Sequence, residues 1–302
     1  MLDNLLVIVG SAKAGTTSAA AWLDQHPRFS VCSSKEPRFF SDFLDREWSG
    51  PGSRSFYETI PASLDEYQDR FAGLQFSDWA VDASTDYVWN EAATERLGEF
   101  ARNRNVKLVC IVRDPVARAI SEYNHTLRNK WQDLSFMQSV SLEAERRRKG
   151  YHPLFYHTRR SRVHDDIHRL SRAFGNNLLI VDFAMLSQPK IFMESLCSFV
   201  GVESHEALDF SIKNRSRLPR SAPAKALLAN DRLRRLSRRI VPQKIRGAVW
   251  RGLHADAKHL KTVENDEIDQ FRELMSDEIR QCLASDLIPT QNWTLAVPRA
   301  ET

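Results

Sequence analysis

Apolar stretches alternate with amphipathic, helix-type stretches over the first two hundred residues. The runs 5–9 and 106–112 are apolar on both faces, which is typical of strands buried inside a parallel sheet. A helical pattern follows each run, and Asp114 with Pro115 supplies an N-cap and a first helical residue for the second helix. This alternation predicts an α/β fold in which helices flank a central parallel sheet.

The remaining elements follow from the same periodicity. We predict strands over 28–32, 79–83 and 178–181, and helices over 17–24, 64–71, 91–102 and 190–200. Ser63 and Glu66 have the spacing of a capping box, and Gly73 is expected to end the helix that they begin. From residue 201 onward the pattern is helical without a strand signal, so we expect one domain over 1–302, with an α/β core (1–200) and a helical C-terminal appendage (201–302).

The composition agrees with a globular protein that can bury a sizeable core. Hydrophobic residues make up 42% and charged residues 27% of the 302 positions. The first ten residues lack a basic segment, and their apolar run is too short for a signal peptide or a membrane span. The four cysteines are scattered without a pairing or metal-type spacing, which predicts reduced thiols and a cytoplasmic protein. They are Cys32, Cys110, Cys197 and Cys282.

The formal net charge of +4 is concentrated between residues 213 and 251. Within this region 231–240 is a basic amphipathic helix by its pattern, and we interpret it as docked on the core through its apolar stripe. Peripheral contact with a membrane is the alternative for this helix. Nucleic-acid binding is not expected, because the net charge is modest and no stacking-aromatic motif is present.

A glycine-containing loop joins the first predicted strand to the first predicted helix. Gly10 and Gly15 bracket four residues, and Thr16 and Thr17 open the helix, an arrangement that directs backbone N–H groups and a helix N-terminus at an anion. Nucleoside-triphosphate loops carry a lysine directly after the second glycine, whereas here Lys13 lies two residues before it. A shorter anion therefore suits this loop better than a triphosphate chain with Mg²⁺. An ordinary turn before a helix is the alternative.

A second basic site is predicted where the strand 106–112 ends. Arg113 follows that strand, and Ser121 lies further along the next helix. The carboxyl ends of parallel strands share one crevice, so Arg113 is expected to reach the ligand of the first loop. An arginine fork with a hydroxyl suits a second phosphate. A salt-bridged arginine and a solvated serine are the alternative.

Two further groups of polar residues are candidate sites. Four histidines lie close in sequence: His152, His157, His164 and His168. They lack the ligand pattern of a zinc hydrolase, so we expect no metal and interpret them as a solvated or acceptor-contacting face; their role stays open. The run 146–149 is Arg-Arg-Arg-Lys, which we interpret as a solvated helix end, with contact to an acidic acceptor as the alternative.

Three stretches together resemble the sulfotransferases that use 3′-phosphoadenosine 5′-phosphosulfate (PAPS). Residues 10–18 (GSAKAGTTS) are similar to the family's 5′-phosphosulfate loop, and residues 113–121 (RDPVARAIS) to its 3′-phosphate motif. Residues 34–40 (SKEPRFF) are similar to a segment of the carbohydrate (heparan-sulfate-type) branch and its bacterial relatives. The order and spacing fit from residue 5 to about residue 220.

The resemblance implies a P-loop NTPase-like fold, PAPS as co-substrate, adenosine 3′,5′-bisphosphate as product, and no metal. It assigns nucleotide binding to Ser11, Lys13, Ala14, Gly15, Thr16, Thr17, Ser18, Arg113 and Ser121. It also relates Arg217 and Arg220 to a basic loop that closes over the nucleotide, although the family's Lys-Gly-Arg pattern appears here only loosely. Heparan-type enzymes place a lysine at the position of Ala83, a departure that argues against a polyanionic glycan acceptor.

The resemblance also assigns the chemistry. Glu36 corresponds to the proposed general base, and Lys13 is assigned to stabilising the charge that develops during in-line transfer. The alternative for Glu36 is a surface carboxylate paired with Lys35 or Arg38. Two other functions stay open: a P-loop kinase acting on a small hydroxylated metabolite, and a non-catalytic nucleotide-binding module. The acceptor hydroxyl can belong to a glycan, a lipid or a natural product, and the sequence does not address the oligomeric state.

Overall fold

The computed structural model describes residues 2–57, 60–71, 78–205, 208–210, 217–219, 254–256 and 263–297. By its internal contacts the chain forms two compact units. The first comprises Met1–Ser211 with Val263–Thr302, and the second comprises Ile212–Thr262. The expected single domain over 1–302 stays a prediction.

A five-stranded parallel sheet forms the centre of the first unit, as the alternating pattern predicts. The strands are β1 (Asn4–Gly10), β2 (Phe29–Val31), β3 (Trp79–Asp82), β4 (Asn105–Val112) and β5 (Leu178–Asp182). Their order across the sheet is β2-β3-β1-β4-β5, so β1 lies at the centre between β3 and β4. Since all neighbours are parallel, the carboxyl ends of all five strands lie at one edge.

Helices connect and cover these strands. The α-helices of the described residues are α1 (Thr16–Leu23), α2 (Ser53–Tyr57), α3 (Leu64–Gln68), α4 (Glu91–Ala101), α5 (Pro115–Arg128), α6 (Phe136–Ser141), α7 (Glu143–Arg148), α8 (His164–Phe174), α9 (Pro189–Val200), α10 (Asn265–Leu274) and α11 (Ser276–Ala284). Single 3₁₀ turns lie at Phe43–Asp45, Tyr87–Trp89, Pro153–Phe155, Arg159–Ser161, Gly175–Asn177 and Phe183–Ser187.

The two faces of the sheet bury different sets of helices. Side chains alternate along β1, so Leu5 and Val7 point to one face while Leu6 and Ile8 point to the other. The face of Leu6 and Ile8 packs against α1 and α9. The face of Leu5 and Val7 packs against α4, α5 and α8 and against the C-terminal helices α10 and α11. Burial on both faces explains why β1 and β4 are apolar without alternation.

The helix predicted after Ser63 is shorter than expected. The Ser63 hydroxyl accepts from the Glu66 N–H at 3.2 Å and begins α3, which ends at Gln68. The carbonyl of Arg70 accepts from Ser33 N–H at 3.0 Å, so the chain after α3 lies against the segment that follows β2. Phe71 nevertheless reaches the core, as its place on the predicted helical face suggested.

The prediction that no strands follow residue 200 was wrong. Arg217–Pro219 (β6) and His254–Asp256 (β7) form an antiparallel pair in the second unit. Two three-residue strands separated by more than thirty positions are too short to show a periodicity. Of the described helices, none has the length and apolar character needed to cross a membrane. The predicted basic helix 231–240 lies outside the described residues.

Candidate nucleotide and active site

The loop between β1 and α1 forms a concavity lined by backbone N–H groups. Lys13 and Gly15 both adopt left-handed conformations, with φ of 68° and 77°, which turn the backbone sharply before α1 begins at Thr16. Within the described part of the chain, no protein group accepts a hydrogen bond from the N–H groups of Lys13, Gly15, Thr16 or Thr17. Free N–H groups at such a turn and at a helix N-terminus are an anion-binding arrangement.

Both glycines of this loop are required by close neighbours. A Cβ atom on Gly10 would lie 2.6 Å from Cγ1 of Val88, and one on Gly15 would lie 2.2 Å from Cδ1 of Leu186. Gly15 also has a positive φ, a backbone conformation that costs free energy for residues other than glycine. The loop therefore packs directly against the segments that follow β3 and β5, and a side chain at either glycine would have to displace Val88 or Leu186.

Arg113 joins the second predicted site to the first. Its guanidinium donates a hydrogen bond of 2.6 Å to the carbonyl of Lys13 and stacks 4.6 Å from the ring centroid of Phe183. Burial lowers the pKa of Arg113 from its usual value. Ser121 lies partly buried on α5, and its hydroxyl makes no hydrogen bond with another described residue. The structure thus brings Arg113 to the loop, while the predicted phosphate contacts of Arg113 and Ser121 stay predictions.

Lys13 lies where several charges meet. Burial lowers the pKa of its ammonium group to about 8, and the positive charge of Arg128 acts in the same direction. The carboxylates of Glu122 and Glu36 oppose this shift. These interactions place Lys13 near the side chains of α5 and near the Glu36 segment, which come from distant parts of the chain.

Glu36 carries ion pairs to both of its neighbours. Its carboxylate accepts from Nζ of Lys35 at 2.6 Å and from the guanidinium of Arg38 at 2.5 Å, and its side chain is 22% exposed. Burial alone would raise the pKa of Glu36, but the charges of Lys35 and Arg38 outweigh it and lower the pKa to about 2. Glu36 therefore forms the ion pairs with Lys35 and Arg38 that the alternative interpretation predicts. Its role as the general base stays a prediction.

A chain of ion pairs leads from Glu36 into the protein interior, and the sequence did not reveal it. Arg38 also donates to Asp86 at 2.8 Å, and the buried Arg160 bridges Asp86 to Glu122. Glu122 in turn pairs with Arg118 at 3.0 Å. Burial would raise the pKa of Glu122, but its two arginine partners lower it well below the usual range. No local pattern marks the contacts that join separate segments, because Arg38 and Asp86 are 48 positions apart and Arg160 lies 38 positions from Glu122 and 74 from Asp86.

Side chains of α5 interact electrostatically with Lys13. Arg118, Glu122 and His125 follow each other at helical spacing, and both Glu122 and His125 interact electrostatically with Lys13. Burial lowers the pKa of His125 to about 3, with Lys13 and Arg128 adding to the shift, so its imidazole is neutral at pH 7. His125 is a functional candidate that the motif comparison missed, although its spacing from Arg118 on the predicted helix could have suggested it.

The interpretation of the four histidines as one solvated or acceptor-contacting face was wrong for two of them. His152 and His157 are fully buried. Nε2 of His157 lies 3.0 Å from the Ser139 hydroxyl, and its Nδ1 lies 3.4 Å from the Glu122 carboxylate. His164 and His168 stay partly exposed on α8. In the part of the chain that the structure describes, no group of three or more acidic, histidine or cysteine side chains could hold a metal ion.

The structure also describes the four cysteines and the basic run 146–149. The four cysteines are free and buried, as expected. Arg146 is not part of a solvated helix end, because it is buried and donates to the Ser139 hydroxyl at 2.9 Å; Arg147, Arg148 and Lys149 are exposed. Arg220 and the side chain of Arg217 lie outside the described residues, so their predicted closure over the nucleotide stays a prediction.

Comparison with known proteins places this geometry in a family. A family model described as "Sulfotransferase family" matches residues 6–206. Human heparan sulfate glucosamine 3-O-sulfotransferase 3B1 is 28% identical over 137 residues, which are 45% of this chain and 30% of that protein. The 3-O-sulfotransferase 5 of the same organism is 31% identical over 124 residues, covering 41% of this chain and 31% of its own length.

A third relative comes from a different organism. The membrane-associated sulfotransferase kil1 of Dictyostelium discoideum is 28% identical over 152 residues, covering 48% of this chain and 28% of that protein. This chain thus spans less than a third of the length of each of these curated relatives.

The solved structure of a sulfotransferase from Alicyclobacillus acidocaldarius has the same fold. It superposes with a TM-score of 0.69 at 23% identity and covers 91% of this chain and 92% of its own. The predicted P-loop NTPase-like α/β fold is confirmed. With the family model covering well over half of the chain, from β1 through α9, the protein belongs to the sulfotransferase family.

Proposed function

We propose that this protein transfers a sulfuryl group from PAPS to an acceptor hydroxyl, in the cytoplasm. The observation that carries the proposal is the 2.6 Å hydrogen bond from Arg113 to the Lys13 carbonyl, which joins two cationic sites around one set of free N–H groups. The N–H groups of Gly15 to Thr17 would hold the 5′-phosphosulfate, and Arg113 would reach the 3′-phosphate. The location is supported by the four free, buried thiols.

The reaction assigns a separate task to each charged group. PAPS supplies a sulfuryl group on a phosphate leaving group. The acceptor oxygen forms a bond to sulfur while the sulfur–oxygen bond to the phosphate breaks, and adenosine 3′,5′-bisphosphate leaves with the electron pair. Lys13 would stabilise the charge that develops on the bridging oxygen. Glu36 would accept the proton of the acceptor hydroxyl.

The ion pairs of Glu36 bear on this role. With a pKa of about 2, its carboxylate is ionised at neutral pH and free to accept a proton, but it holds that proton weakly. An acceptor that draws Lys35 or Arg38 away would raise the pKa of Glu36 and strengthen it as a base. The neutral imidazole of His125 is a second group near Lys13 that could take the proton.

A comparison of ligands separates the proposed donor from the kinase alternative. Adenosine 3′,5′-bisphosphate at a hundredfold excess over its dissociation constant should stabilise the protein by about 2.7 kcal/mol, with EDTA present. ATP with Mg²⁺ should give a smaller increase in melting temperature. The reverse order would overturn the proposal in favour of a kinase. Adenosine 3′,5′-bisphosphate binding without transfer of labelled sulfate to any acceptor pool would favour the non-catalytic module.

Substitution of Glu36 tests the base. We expect Glu36→Gln to lower sulfate transfer from labelled PAPS by about two to four orders of magnitude and to leave adenosine 3′,5′-bisphosphate binding near normal. The matched control is Glu47→Gln, since Glu47 is exposed and follows in the same segment. Near-normal transfer by Glu36→Gln would exclude Glu36 as the base. A comparable loss in His125→Asn, measured in the same assay, would then assign the proton transfer to His125.

A further inference from the structure

The segment that carries Glu36 has an irregular backbone. It follows β2, and Lys35 and Arg38, on either side of Glu36, have positive φ values of 60° and 55°. Residues other than glycine adopt this conformation at a free-energy cost, so it persists only where neighbouring groups hold it. The carbonyl of Lys35 accepts from the N–H of Ala83 at 3.1 Å, which places the segment beside the residues that follow β3.

Two hydroxyl groups of the residues after β3 accept hydrogen bonds from the backbone of the Glu36 segment. The N–H of Arg38 donates to the Ser84 hydroxyl at 2.8 Å, and the N–H of Phe40 donates to the Tyr87 hydroxyl at 3.2 Å. Ser84, Tyr87 and Phe40 are all buried. Because a buried N–H group that loses its acceptor costs free energy, these two contacts favour one path of the backbone around Glu36.

A single carboxylate fixes both hydroxyl-bearing residues. Asp82 is the last residue of β3 and is fully buried. One of its oxygens accepts from the Ser84 N–H at 2.9 Å, and the other accepts from the Tyr87 hydroxyl at 3.0 Å. Burial raises the pKa of Asp82 to about 6, and the hydrogen bonds that it accepts oppose this shift, so it is ionised at pH 7. Hydrogen bonds to an ionised acceptor are the stronger ones.

Tyr67 on α3 provides a natural contrast with Tyr87. Its hydroxyl donates to the same oxygen of Asp82 at the same distance of 3.0 Å. Among the described residues, however, no N–H group of the Glu36 segment donates to the Tyr67 hydroxyl. The Tyr67 ring stacks on Phe39 with 4.7 Å between the centroids, a contact that phenylalanine at position 67 would keep. Removing the Tyr67 hydroxyl therefore takes a donor from Asp82 without removing a contact of the segment.

We propose that Tyr87 and Ser84 are positioning residues that hold the Glu36 carboxylate where it meets the acceptor hydroxyl, with Asp82 fixing both of them. The inference rests on the sulfuryl-transfer function proposed above, in which Glu36 is the base. Tyr87 and Ser84 act through the backbone of the segment and touch neither substrate. Loss of either contact should therefore slow transfer and leave nucleotide affinity unchanged.

Two tyrosine-to-phenylalanine variants test the contact with the segment. Tyr87→Phe removes the acceptor of the Phe40 N–H, whereas Tyr67→Phe removes an equivalent donor to Asp82 and leaves that N–H paired. We expect amide hydrogen exchange at Phe40, measured by NMR, to be about tenfold faster in Tyr87→Phe than in Tyr67→Phe, because only Tyr87→Phe leaves the buried N–H without a partner. Equal exchange at Phe40 in the two variants would overturn the inference.

Kinetics with labelled PAPS and an acceptor pool test the role in transfer. Tyr87→Phe should lower the maximal rate by about ten- to a hundredfold, because a displacement of about 1 Å at a reacting group has an effect of this size. The KM for PAPS should not change, and Tyr67→Phe should stay near the wild-type rate. Ser84→Ala, which removes the acceptor of the Arg38 N–H, should slow transfer in the same way and replaces Tyr87→Phe if that variant does not fold. A normal rate in the folded variant would exclude the positioning role.

A double variant shows whether Tyr87 acts through Glu36. In a protein that already carries Glu36→Gln, Tyr87→Phe should slow transfer little further, because there is no base left to position. A merely structural role of Tyr87 would slow transfer by the same factor in both backgrounds, and that result would contradict the inference. Adenosine 3′,5′-bisphosphate should bind equally well to all of these variants.

The positioning role and the proposed function fail separately. Failure of the wild-type protein to transfer sulfate, or normal transfer by Glu36→Gln, would contradict the proposed function or its base. The exchange comparison at Phe40 needs no substrate, so it still decides whether Tyr87 holds the segment. A slow Glu36→Gln together with a normal Tyr87→Phe would contradict the positioning role alone.

Discussion

The ammonium group of Lys13 is poised close to neutral pH. Burial and Arg128 lower its pKa to about 8, while Glu122 and Glu36 hold it from falling further. An anion bound in the loop would favour the charged form and raise the pKa again. Nucleotide binding and proton uptake by Lys13 are therefore linked.

This linkage predicts how nucleotide affinity depends on pH. Below pH 8, Lys13 is protonated both free and bound, so its contribution to affinity is constant. Above pH 8 the free protein loses the proton, and the affinity for adenosine 3′,5′-bisphosphate should fall by up to about tenfold per pH unit. Calorimetric titrations between pH 7.5 and 9.5 measure this slope. Lys13→Met should bind more weakly with a flat profile, and a flat wild-type profile would contradict the shifted pKa of Lys13.

Gly15 offers a second prediction at the scale of single residues. We expect Gly15→Ala to lower the free energy of unfolding by about 1–2 kcal/mol, because a left-handed backbone disfavours a side chain and Leu186 occupies the space. Nucleotide binding should weaken as well. Gly98→Ala is the matched control: Gly98 lies inside α4 with open space around it, so the change should stabilise by about 0.5–1 kcal/mol. Urea unfolding measures both changes, and equal effects would refute the argument.

Sequence and structure agree best where each residue belongs to a local motif and the topology of the parallel sheet fixes where that motif lies. The motif residues around Lys13 and Arg113 could be placed at one crevice because parallel strands share a carboxyl edge. Arg160 could not be found in this way, since its partners Asp86 and Glu122 lie in separate segments and each contact is set only by tertiary packing.

At the scale of elements, Asp114 joins two segments of the chain. One carboxylate oxygen caps α5 by accepting from the N–H groups of Val116 and Ala117. The other accepts from three successive N–H groups at 294–296, at 2.8 to 3.0 Å. The helix cap was predicted from the Asp-Pro pair. The second contact was not, because nothing in the local pattern relates positions 180 residues apart.

Removing this carboxylate should therefore cost more than an ordinary helix cap. We expect Asp114→Ala to lower the free energy of unfolding by about 3 kcal/mol, compared with about 1 kcal/mol for the loss of a typical cap. Asp277→Ala, at the exposed start of α11, should change it by less than about 0.5 kcal/mol. Denaturant titrations followed by circular dichroism measure the difference. A loss of only about 1 kcal/mol in Asp114→Ala would show that the 294–296 contact adds nothing.

At the scale of the whole molecule, the C-terminal helices belong to the main core. Phe271, Met275 and Cys282 are buried in the same cluster as Leu5 and the other β1 side chains of that face. The helical pattern of this region was predicted, with the expectation that it packs on the sheet as an appendage, and α10 and α11 do pack on the sheet as part of the main core. The helical periodicity of the sequence identifies an apolar stripe on each helix, but it does not determine which part of the core that stripe contacts.

Two neighbouring side chains of α10 test this role. Phe271→Ala removes a fully buried ring and should lower the free energy of unfolding by about 3–5 kcal/mol. Leu274→Ala removes an exposed side chain of the same helix and should have an effect within about 0.5 kcal/mol. Thermal and urea unfolding of both variants provide the comparison, and similar losses would contradict a core position for α10.

The double contact of Asp114 also has a consequence for how the molecule opens. The first turn of α5 and the segment 294–296 should not open independently of each other. If either one opens, the buried Asp114 carboxylate loses hydrogen-bond donors. Amide hydrogen exchange should thus report one shared opening free energy for Ala117 and Leu295, although they are far apart in sequence. Arg113 immediately precedes Asp114 and donates a hydrogen bond to the Lys13 carbonyl. Local opening of the segment 294–296 would therefore also affect the nucleotide loop.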